Sequence, residues 1–399
     1  MATTHAVTLT IGAGATEIDV WDQYTLTLSM LRAGQPWTFS MWRSTTRQAT
    51  WDVLNRTVKL FDRVTVSVDG HPQLTGRIEA FERHADGHGE CVAVISGRDL
   101  AGPAQSWDAD PTVQIKDTPL DEALQSIFDP LGLTVRVTSG AAARIVQTAR
   151  SPGARPSTTR RRRLVDRSHP RPGEKVWSLA QSMARRLGYL LWVAPRTDGT
   201  VGIVVDVPDY EQQPSYLFER RLDGTGRGSG NILAGAEAFS VRDVPTDVTV
   251  YTGSTRGAAV SSRSRSVSQN AALYSGTVTR GFALDTLQAQ PRHMKSDRAR
   301  TLQAAQKEGE RVIADAMQDF YRYTATVQGH GQTVGGTPTL YAVNTIARVR
   351  DDLLTDSQGR PLDAALYVTD VEMAGSRKGG QTTRLTMVPT GSIVVTPET

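Results

Sequence analysis

The residues best suited to metal binding lie close together near one predicted turn. His84, His88, Glu90 and Cys91 supply imidazole, carboxylate and thiolate groups, all of which bind transition metals. The intervening Asp86-Gly87 is a typical hairpin turn, which would place these side chains on either side of a tight loop. Polar side chains that simply flank a turn explain this cluster better than a metal site does. We therefore expect no metal and no cofactor.

The glycines and candidate nucleophiles do not match a catalytic pattern. Glycines alternate from Gly224 to Gly230, whereas a dinucleotide loop requires G-x-G-x-x-G between a strand and a helix. The segment Gly228-Ser229-Gly230 therefore indicates a flexible crossing, and no G-x-S-x-G elbow occurs. Cys91 is expected as a small buried residue within a strand, and Asp351-Asp352 as solvated residues at a strand end. These patterns predict no catalytic residue and a protein that is not an enzyme.

Four consecutive arginines form the strongest cluster of like charge. Arg160, Arg161, Arg162 and Arg163 lie in a basic, proline-containing loop predicted over residues 151–171. Guanidinium groups bind phosphate, but aromatic residues that would stack on bases are not interleaved with them. An acidic patch on a neighbouring protein, or solvent, is the favoured partner. Nucleic acid is the less favoured alternative, and it predicts affinity that falls steeply with salt.

The composition of the chain is that of an ordinary globular protein. Of 399 residues, 39% are hydrophobic and 22% are charged, and 45 basic residues against 41 acidic ones give a net charge of only +4. This balance does not by itself indicate a nucleic-acid partner. The one cysteine excludes an intramolecular disulfide. The sequence shows neither a secretion signal at its start nor an apolar run long enough to span a membrane.

Alternating apolar residues predict strands in the first third of the chain. Val7, Leu9 and Ile11 alternate with polar residues, and the strand over residues 64–68 ends at the turn Asp69-Gly70. Partner strands are predicted over residues 74–81 and 91–95. We interpret residues 1–110 as a tube-like antiparallel β domain.

Helical spacing appears in the middle of the chain. Thr118 and Pro119 are suited to begin a helix whose apolar face ends at Phe128, and a strand follows over residues 133–137. A second helix is predicted from Val176 to Leu187, followed by a hairpin. The prediction is thus a small α+β domain at 111–150, the basic loop at 151–171, and a second small α+β domain at 172–222.

Residues 223–399 are predicted to form a second tube-like β domain with one inserted long helix. Ser296 would cap this helix, which spans about 297–320, and Ser261–Asn270 is predicted as a polar loop. Strands over 365–373 and 383–388 repeat the order of strands and turns at the other end of the chain. This repetition suggests that the two ends are versions of one β domain.

Several segments together resemble the baseplate hub proteins of Mu-like contractile phages, within the late-control and VgrG-like hub superfamily. They are Ile18–Met41 with its Gln35-Pro36-Trp37-Thr38-Phe39, Pro172–Trp177, Tyr323–Gly331, and Val343–Pro389. The resemblance implies a mainly β fold with an α+β middle. In that fold, two tube-like antiparallel β-barrel domains flank small α+β domains, and a long helix is inserted in the C-terminal one.

The resemblance also implies a structural function. Three copies would form a homotrimeric ring that adapts the sixfold tail tube to the threefold spike, with the tube protein, the spike protein and other baseplate proteins as partners. The expected location is the baseplate of a virion tail, assembled in the host cytoplasm. The alternative is a carbohydrate-binding or cell-wall-degrading tail-tip component. The sequence does not distinguish a contractile tail from a flexible tail or an injection particle.

Overall fold

The computed structural model describes residues 5–12, 16–44, 48–85, 91–112, 115, 118–137, 164–165, 170, 172–195, 200–222, 228–240, 242, 245, 247–252, 263–268, 291–296, 302–317, 320–355 and 359–393. These residues form 24 strands and five α-helices, which confirms the mainly β fold class with an α+β middle. No helix within these ranges is long and apolar enough to cross a membrane.

The first third of the chain forms a group of antiparallel strands, which we call the N-terminal module. Its elements are β1 (Val7–Ile11), β2 (Thr16–Ile18), β3 (Gln23–Ser29), β4 (Pro36–Trp42), α1 (Gln48–Thr57), β5 (Arg63–Val68), β6 (His71–Ala85) and β7 (Cys91–Asp99). The strands pair in the order β2-β1-β5-β6-β7-β4-β3. The predicted turn between β5 and β6 is confirmed, because Asp69 and Gly70 both have positive φ, as a tight hairpin turn requires.

The middle of the chain is an α+β unit with its own hydrophobic core. Its elements are α2 (Gly102–Ser106), β8 (Thr118–Pro119), α3 (Leu120–Phe128), β9 (Val135–Val137), β10 (Leu164–Val165), α4 (Val176–Arg186), β11 (Leu190–Pro195) and β12 (Val201–Asp206). The predicted hairpin is confirmed as β11 and β12. Because β9 pairs in parallel with β12, the two predicted small α+β segments contribute to one sheet and one apolar cluster. The domain boundaries themselves stay a prediction.

The remaining elements lie in the last part of the chain. They are β13 (Tyr216–Leu222), β14 (Gly228–Gly230), β15 (Ile232–Phe239), β16 (Asp247–Thr252), β17 (Arg263–Ser268), β18 (Pro291–Ser296), α5 (Leu302–Met317), β19 (Tyr321–Gln328), β20 (Gly331–Val334), β21 (Thr337–Leu340), β22 (Thr345–Thr355), β23 (Pro361–Ser376) and β24 (Gly380–Pro389). We call β13–β15, β19 and β22–β24 the C-terminal module, whose strands pair in the order β14-β13-β22-β23-β24-β19-β15.

Three segments predicted as irregular contain strands. Leu164–Val165, within the predicted basic loop, pairs with β8. Gly228–Gly230 is not a flexible crossing, because its backbone pairs with β13. Within the predicted polar loop, Arg263–Ser268 pairs with β16, which in turn pairs with β18. The sequence of β17 alternates serine with larger residues, and this period of two suits a strand despite its polar composition.

The inserted helix is confirmed, with narrower limits. The structure places α5 over 16 residues, packed against β16 and β17. Phe320 was predicted to end this helix, but it lies in a turn immediately before β19. Residues 297–301 and 318–319 of the predicted helix lie outside the described residues.

The two modules belong to one continuous sheet of 14 strands, in which β3 of the N-terminal module pairs with β23 of the C-terminal module. None of the pairings between described strands closes either module into a complete ring. In the C-terminal module, Asn231 bridges β13 and the start of β15: its side chain accepts a hydrogen bond from Glu219 N and donates one to Leu217 O.

Candidate assembly interface

The two modules use the same order of strands. In the N-terminal module, the meander β5-β6-β7 is followed in the sheet by β4 and then β3. In the C-terminal module, the meander β22-β23-β24 is followed by β19 and then β15. All of these pairings are antiparallel. The modules differ at the next strand, because β1 pairs with β5 antiparallel whereas β13 pairs with β22 in parallel.

A shared irregularity fixes the register between the modules. The pairing of β6 with β7 shifts by one residue between Ile78 and Ala80, and the pairing of β23 with β24 shifts in the same way between Val368 and Asp370. A β-bulge of this kind is a specific backbone feature rather than a consequence of composition. Counting along the paired strands from the two bulges makes Tyr24 equivalent to Gly235.

The contact between β23 and β3 joins the modules within one chain. Seven residue pairs align from Asp370 opposite Ser29 to Ser376 opposite Gln23. Val371 and Met373 lie opposite Leu28 and Leu26, and all four of these side chains are buried. Because the backbone ladder and the apolar core both continue across this contact, the two modules form one packed unit.

Buried polar residues reinforce this joint. His330 is fully buried, and its Nε2 lies 2.6 Å from the Tyr24 hydroxyl while its Nδ1 lies 2.9 Å from Thr383 Oγ1. Thr383 donates its hydroxyl hydrogen to Gly329 O at 2.6 Å. Because the Thr383 hydroxyl hydrogen is used in this way, Nδ1 of His330 is the donor to Thr383, and in the neutral ring Nε2 accepts a hydrogen bond from the Tyr24 hydroxyl. Burial, together with nearby His5, lowers the pKa of His330 to about 4.

A second contact between the modules involves the start of the chain. His5 N donates to the side chain of Gln381 at 2.7 Å, and Gln381 Nε2 donates back to His5 O at 2.6 Å. His5 Nδ1 lies 2.6 Å from the Asp69 carboxylate. This reciprocal pair attaches the beginning of the chain to β24, 376 residues further along.

A buried ion pair lies inside the C-terminal module. Asp351 is fully buried and accepts two hydrogen bonds from Arg220, at 2.9 and 2.6 Å, and one from the Tyr323 hydroxyl at 2.9 Å. The prediction that Asp351 is a solvated strand-end residue is wrong. It lies where β22 pairs with β13, so its carboxylate faces the core instead of a turn. A side chain at Gly235 would approach the same carboxylate to 2.8 Å, which explains why the smallest residue occupies that position.

Asp99 and Gln35 connect the N-terminal module to the α+β unit. Gln35 is buried and donates from Nε2 to Ser29 O at 2.7 Å and to Val193 O at 3.1 Å. Asp99 accepts backbone hydrogen bonds from Gln35 at 3.1 Å and Ala101 at 2.9 Å. Burial raises the pKa of Asp99 to about 7, although these hydrogen bonds oppose the effect.

The residues singled out for their chemistry are not brought together into a site. Arg160 to Arg163, His88, Glu90, Gly224 and Gly226 lie outside the described residues. His84 lies 3.1 Å from Glu82 on an exposed strand, and Cys91 begins β7, where it is half-buried rather than a buried mid-strand residue. Across the portion of the chain that the structure describes, no group of three or more histidine, cysteine, aspartate or glutamate residues could hold a metal ion.

The tryptophans of the N-terminal module differ in their surroundings. Trp37 is fully buried and Trp51 nearly so, as core packing predicts. Trp42 is 44% exposed at the end of β4. Exposed tryptophans are favoured at protein interfaces, so Trp42 is a candidate contact residue.

Comparison with solved structures identifies the fold. No protein-family model and no curated protein matches the sequence. The 43 kDa tail protein of prophage MuSo2 from Shewanella oneidensis matches with a TM-score of 0.71 and 16% identity, covering 98% of this chain and 99% of that one. A tail protein from Neisseria meningitidis MC58 matches with a TM-score of 0.70 and 19% identity, covering 98% of each chain. The chain has the fold of these phage tail proteins.

A protein of a secretion system has a similar fold. A component of the E. coli type VI secretion system, which exhibits structural similarity to the bacteriophage T4 tail proteins gp27 and gp5, matches with a TM-score of 0.52 and 8% identity. It covers 98% of this chain and 79% of that one. The sequence resemblance to hub proteins is thereby confirmed at the level of the fold. Tyr24, Gln35 and His330, which lie in the segments that carried the resemblance, form the buried contacts between modules and with the α+β unit.

Proposed function

We propose that this protein is a structural subunit of a phage-tail baseplate, in which three copies form a ring between the tail tube and the spike. The observation that carries the proposal is the shared strand order of the two modules, including the equivalent bulges in β6 and β23. Three chains with two such modules each would present six near-equivalent positions around one axis. Such a ring matches a sixfold tube on one side and a threefold spike on the other.

The difference between the modules is consistent with this role. The parallel pairing of β13 with β22 has no counterpart in the N-terminal module, where β1 and β5 pair antiparallel. The six positions would therefore alternate between two kinds. An adaptor requires this property, because sixfold equivalence toward the tube must become threefold equivalence toward the spike.

The proposed role does not involve a reaction. The matched solved structures include tail proteins from two bacterial sources, and the proposed location is the baseplate of a virion tail. We further propose that the chain acts by shape and by buried interface area, with the tube protein, the spike protein and other baseplate proteins as partners. Arg160 to Arg163 stay a predicted contact with a protein partner.

The mass of the purified full-length protein in solution tests this proposal. Sedimentation velocity over a range of concentrations, combined with light scattering, measures that mass independently of shape. We expect three times the mass of one chain. A stable monomer that hydrolyses peptidoglycan would instead support a cell-wall-degrading tail component and would overturn the structural role.

A further inference from the structure

Two strand edges lack a strand partner within the described chain. β6 pairs with β5 only over residues 71–77, and beyond Ile78 its edge on that side has no paired strand among those described, while β7 continues along the other edge to Ala85. β15 pairs with β19, and no further described strand pairs with it. Long edges of this kind are sites for pairing with another chain.

The equivalent edges of the other module are the ones that pair with each other. β23 is equivalent to β6, and β3 is equivalent to β15. Within one chain, β23 pairs with β3 over residues 370–376, beyond its contact with β22. Within the chain, the edges of β23 and β3 pair with each other. Their equivalents in the other module, the edges of β6 and β15, have no strand partner among the described strands.

The shared register predicts which residues would meet. Counting from the two bulges, Val371 and Met373 of β23 correspond to Phe81 and Arg83 of β6. β3 pairs with β4 in one module and β15 pairs with the equivalent strand β19 in the other. Through these pairings, Leu28 and Leu26 of β3 correspond to Phe239 and Glu237 of β15. Applying the pairs Val371–Leu28 and Met373–Leu26 to the other edges places Phe81 opposite Phe239 and Arg83 opposite Glu237.

Both predicted pairs are chemically complementary. Phe81 and Phe239 are partly buried aromatic residues that pack against the core of their own modules, and paired aromatics stabilise neighbouring strands. Arg83 is exposed, and it lies over the Phe81 ring at 5.6 Å from the centroid. Glu237 carries the opposite charge and accepts a hydrogen bond from the Tyr321 hydroxyl at 2.9 Å. The register was taken from the backbone pairing alone, which does not favour opposite charges. The placement of Arg83 opposite Glu237 is therefore independent support for this pairing.

An exposed aromatic side chain lies beside the β6 edge. Phe61 is 73% exposed and has a positive φ of 70°, and its backbone N–H donates to Ile78 O where the unpaired part of β6 begins. On the other edge, Ala234, Ala236 and Ala238 leave β15 with small side chains on the face opposite Glu237.

The geometry points to a second copy of this chain as the occupant of these edges, with residues 80–85 of β6 in one copy pairing antiparallel with residues 235–240 of β15 in the next. This inference rests on the proposed ring and adds its contact surface. Each copy would use its β6 edge toward one neighbour and its β15 edge toward the other, so the contact is head-to-tail, and in the proposed ring it closes after three copies. The sheet would then continue from chain to chain as it does from module to module.

Disulfide trapping tests this register. In a Cys91→Ser background, the pair Phe81→Cys and Phe239→Cys would lie directly opposite each other across the joint, within reach of a disulfide. Oxidation should convert most of the full-length protein into a covalent trimer on a denaturing gel. The matched control replaces Glu82 instead of Phe81, which moves the thiol to the other face of the strand and should give little cross-linking.

Charge reversal supplies a readout that does not depend on cysteine. Arg83→Glu should weaken the oligomer at least tenfold in its dissociation constant, and adding Glu237→Arg should restore most of the loss. Arg136→Glu, an exposed strand residue of the α+β unit, is the control and should leave the mass unchanged. The protein could form a trimer that gives no disulfide between positions 81 and 239 and whose dissociation constant is unchanged by Arg83→Glu. That result would overturn this contact and leave the proposed function intact. A protein that is monomeric and gives no cross-link would overturn both.

Discussion

The buried carboxylate of Asp351 offers the sharpest test of how the C-terminal module is held together. In the variant Asp351→Asn, the shape of the side chain is kept but its negative charge is removed. Arg220 is only 13% exposed, so it would lose its counter-ion in a place that water reaches poorly. Removing one partner of a buried ion pair typically costs about 3–5 kcal/mol. The Tyr323 hydroxyl also depends on this acceptor, so we expect a loss of about 3 kcal/mol or more.

The matched control is an ion pair on the surface of the same sheet. Asp363 lies 2.6 Å from Arg348, and its side chain is 47% exposed. Exposed pairs contribute about 0–1 kcal/mol, so Asp363→Asn should have little effect. Urea unfolding followed by circular dichroism measures both variants, with the midpoint and slope giving the free energy of unfolding. Equal losses below 1 kcal/mol for the two variants would refute the buried ion pair as a stabilising contact.

A double substitution separates loss of charge from loss of packing. Arg220→Met with Asp351→Leu replaces the ion pair by apolar side chains of similar size. Such replacements are often neutral or stabilising, because neither charge then has to be desolvated. The double variant should therefore be more stable than Asp351→Asn alone. If it is less stable, the cost of the single variant reflects lost packing or the loss of the acceptor of the Tyr323 hydroxyl, and not the unpaired charge of Arg220.

Three further predictions concern the contacts between parts of the fold. The pKa of His330 is about 4, below its ordinary 6.5, so keeping this ring neutral contributes about 3 kcal/mol to the free energy of unfolding above pH 6.5, and this contribution is lost as the pH falls toward 4. In urea unfolding experiments, the free energy of unfolding of His330→Gln should therefore decrease less in acid than that of the parent protein. The pKa of Asp99 is about 7, above its ordinary 3.8, so this residue makes the free energy of unfolding decrease by about 4 kcal/mol as the pH rises from 4 to 7. Asp99→Asn should abolish that decrease. For either residue, variant and parent curves that stay parallel across pH would contradict the assignment. Gly375→Ala would place a carbon 2.3 Å from the Tyr24 ring, so its melting temperature should fall by an amount equivalent to about 1–3 kcal/mol, and an unchanged melting temperature would show that the joint can relax.

Local patterns in the sequence predicted most strands and helices of the fold. The helices α3 and α4, the hairpin β11–β12 and the meanders at both ends follow from apolar spacing and turn residues that lie next to one another in the chain. Helix α1 was not predicted, because only Trp51 and Leu54 in it are buried and two residues form no visible stripe. Strand β17 was missed because its serines and arginines have a polar composition typical of loops.

The contacts between modules were beyond prediction from local patterns. The pairing of β3 with β23 joins residues between 341 (Asp370 with Ser29) and 353 (Ser376 with Gln23) positions apart, and no local feature of either strand specifies that partner. The prediction that Asp351 is exposed to solvent was wrong for the same reason, because its burial depends on Arg220 and Tyr323 from other strands. Tyr24, Gln35 and His330 stood in segments that carried the family resemblance, yet only the structure shows that they connect parts of the fold.

A cryo-electron microscopy reconstruction of the purified protein, calculated without imposed symmetry, tests most directly whether the two modules stand side by side around one axis. We expect three chains and six β modules around a central channel, with modules of the two kinds alternating. Density in which the N-terminal and C-terminal modules point away from a common channel, or occupy rings of different radius, would contradict it.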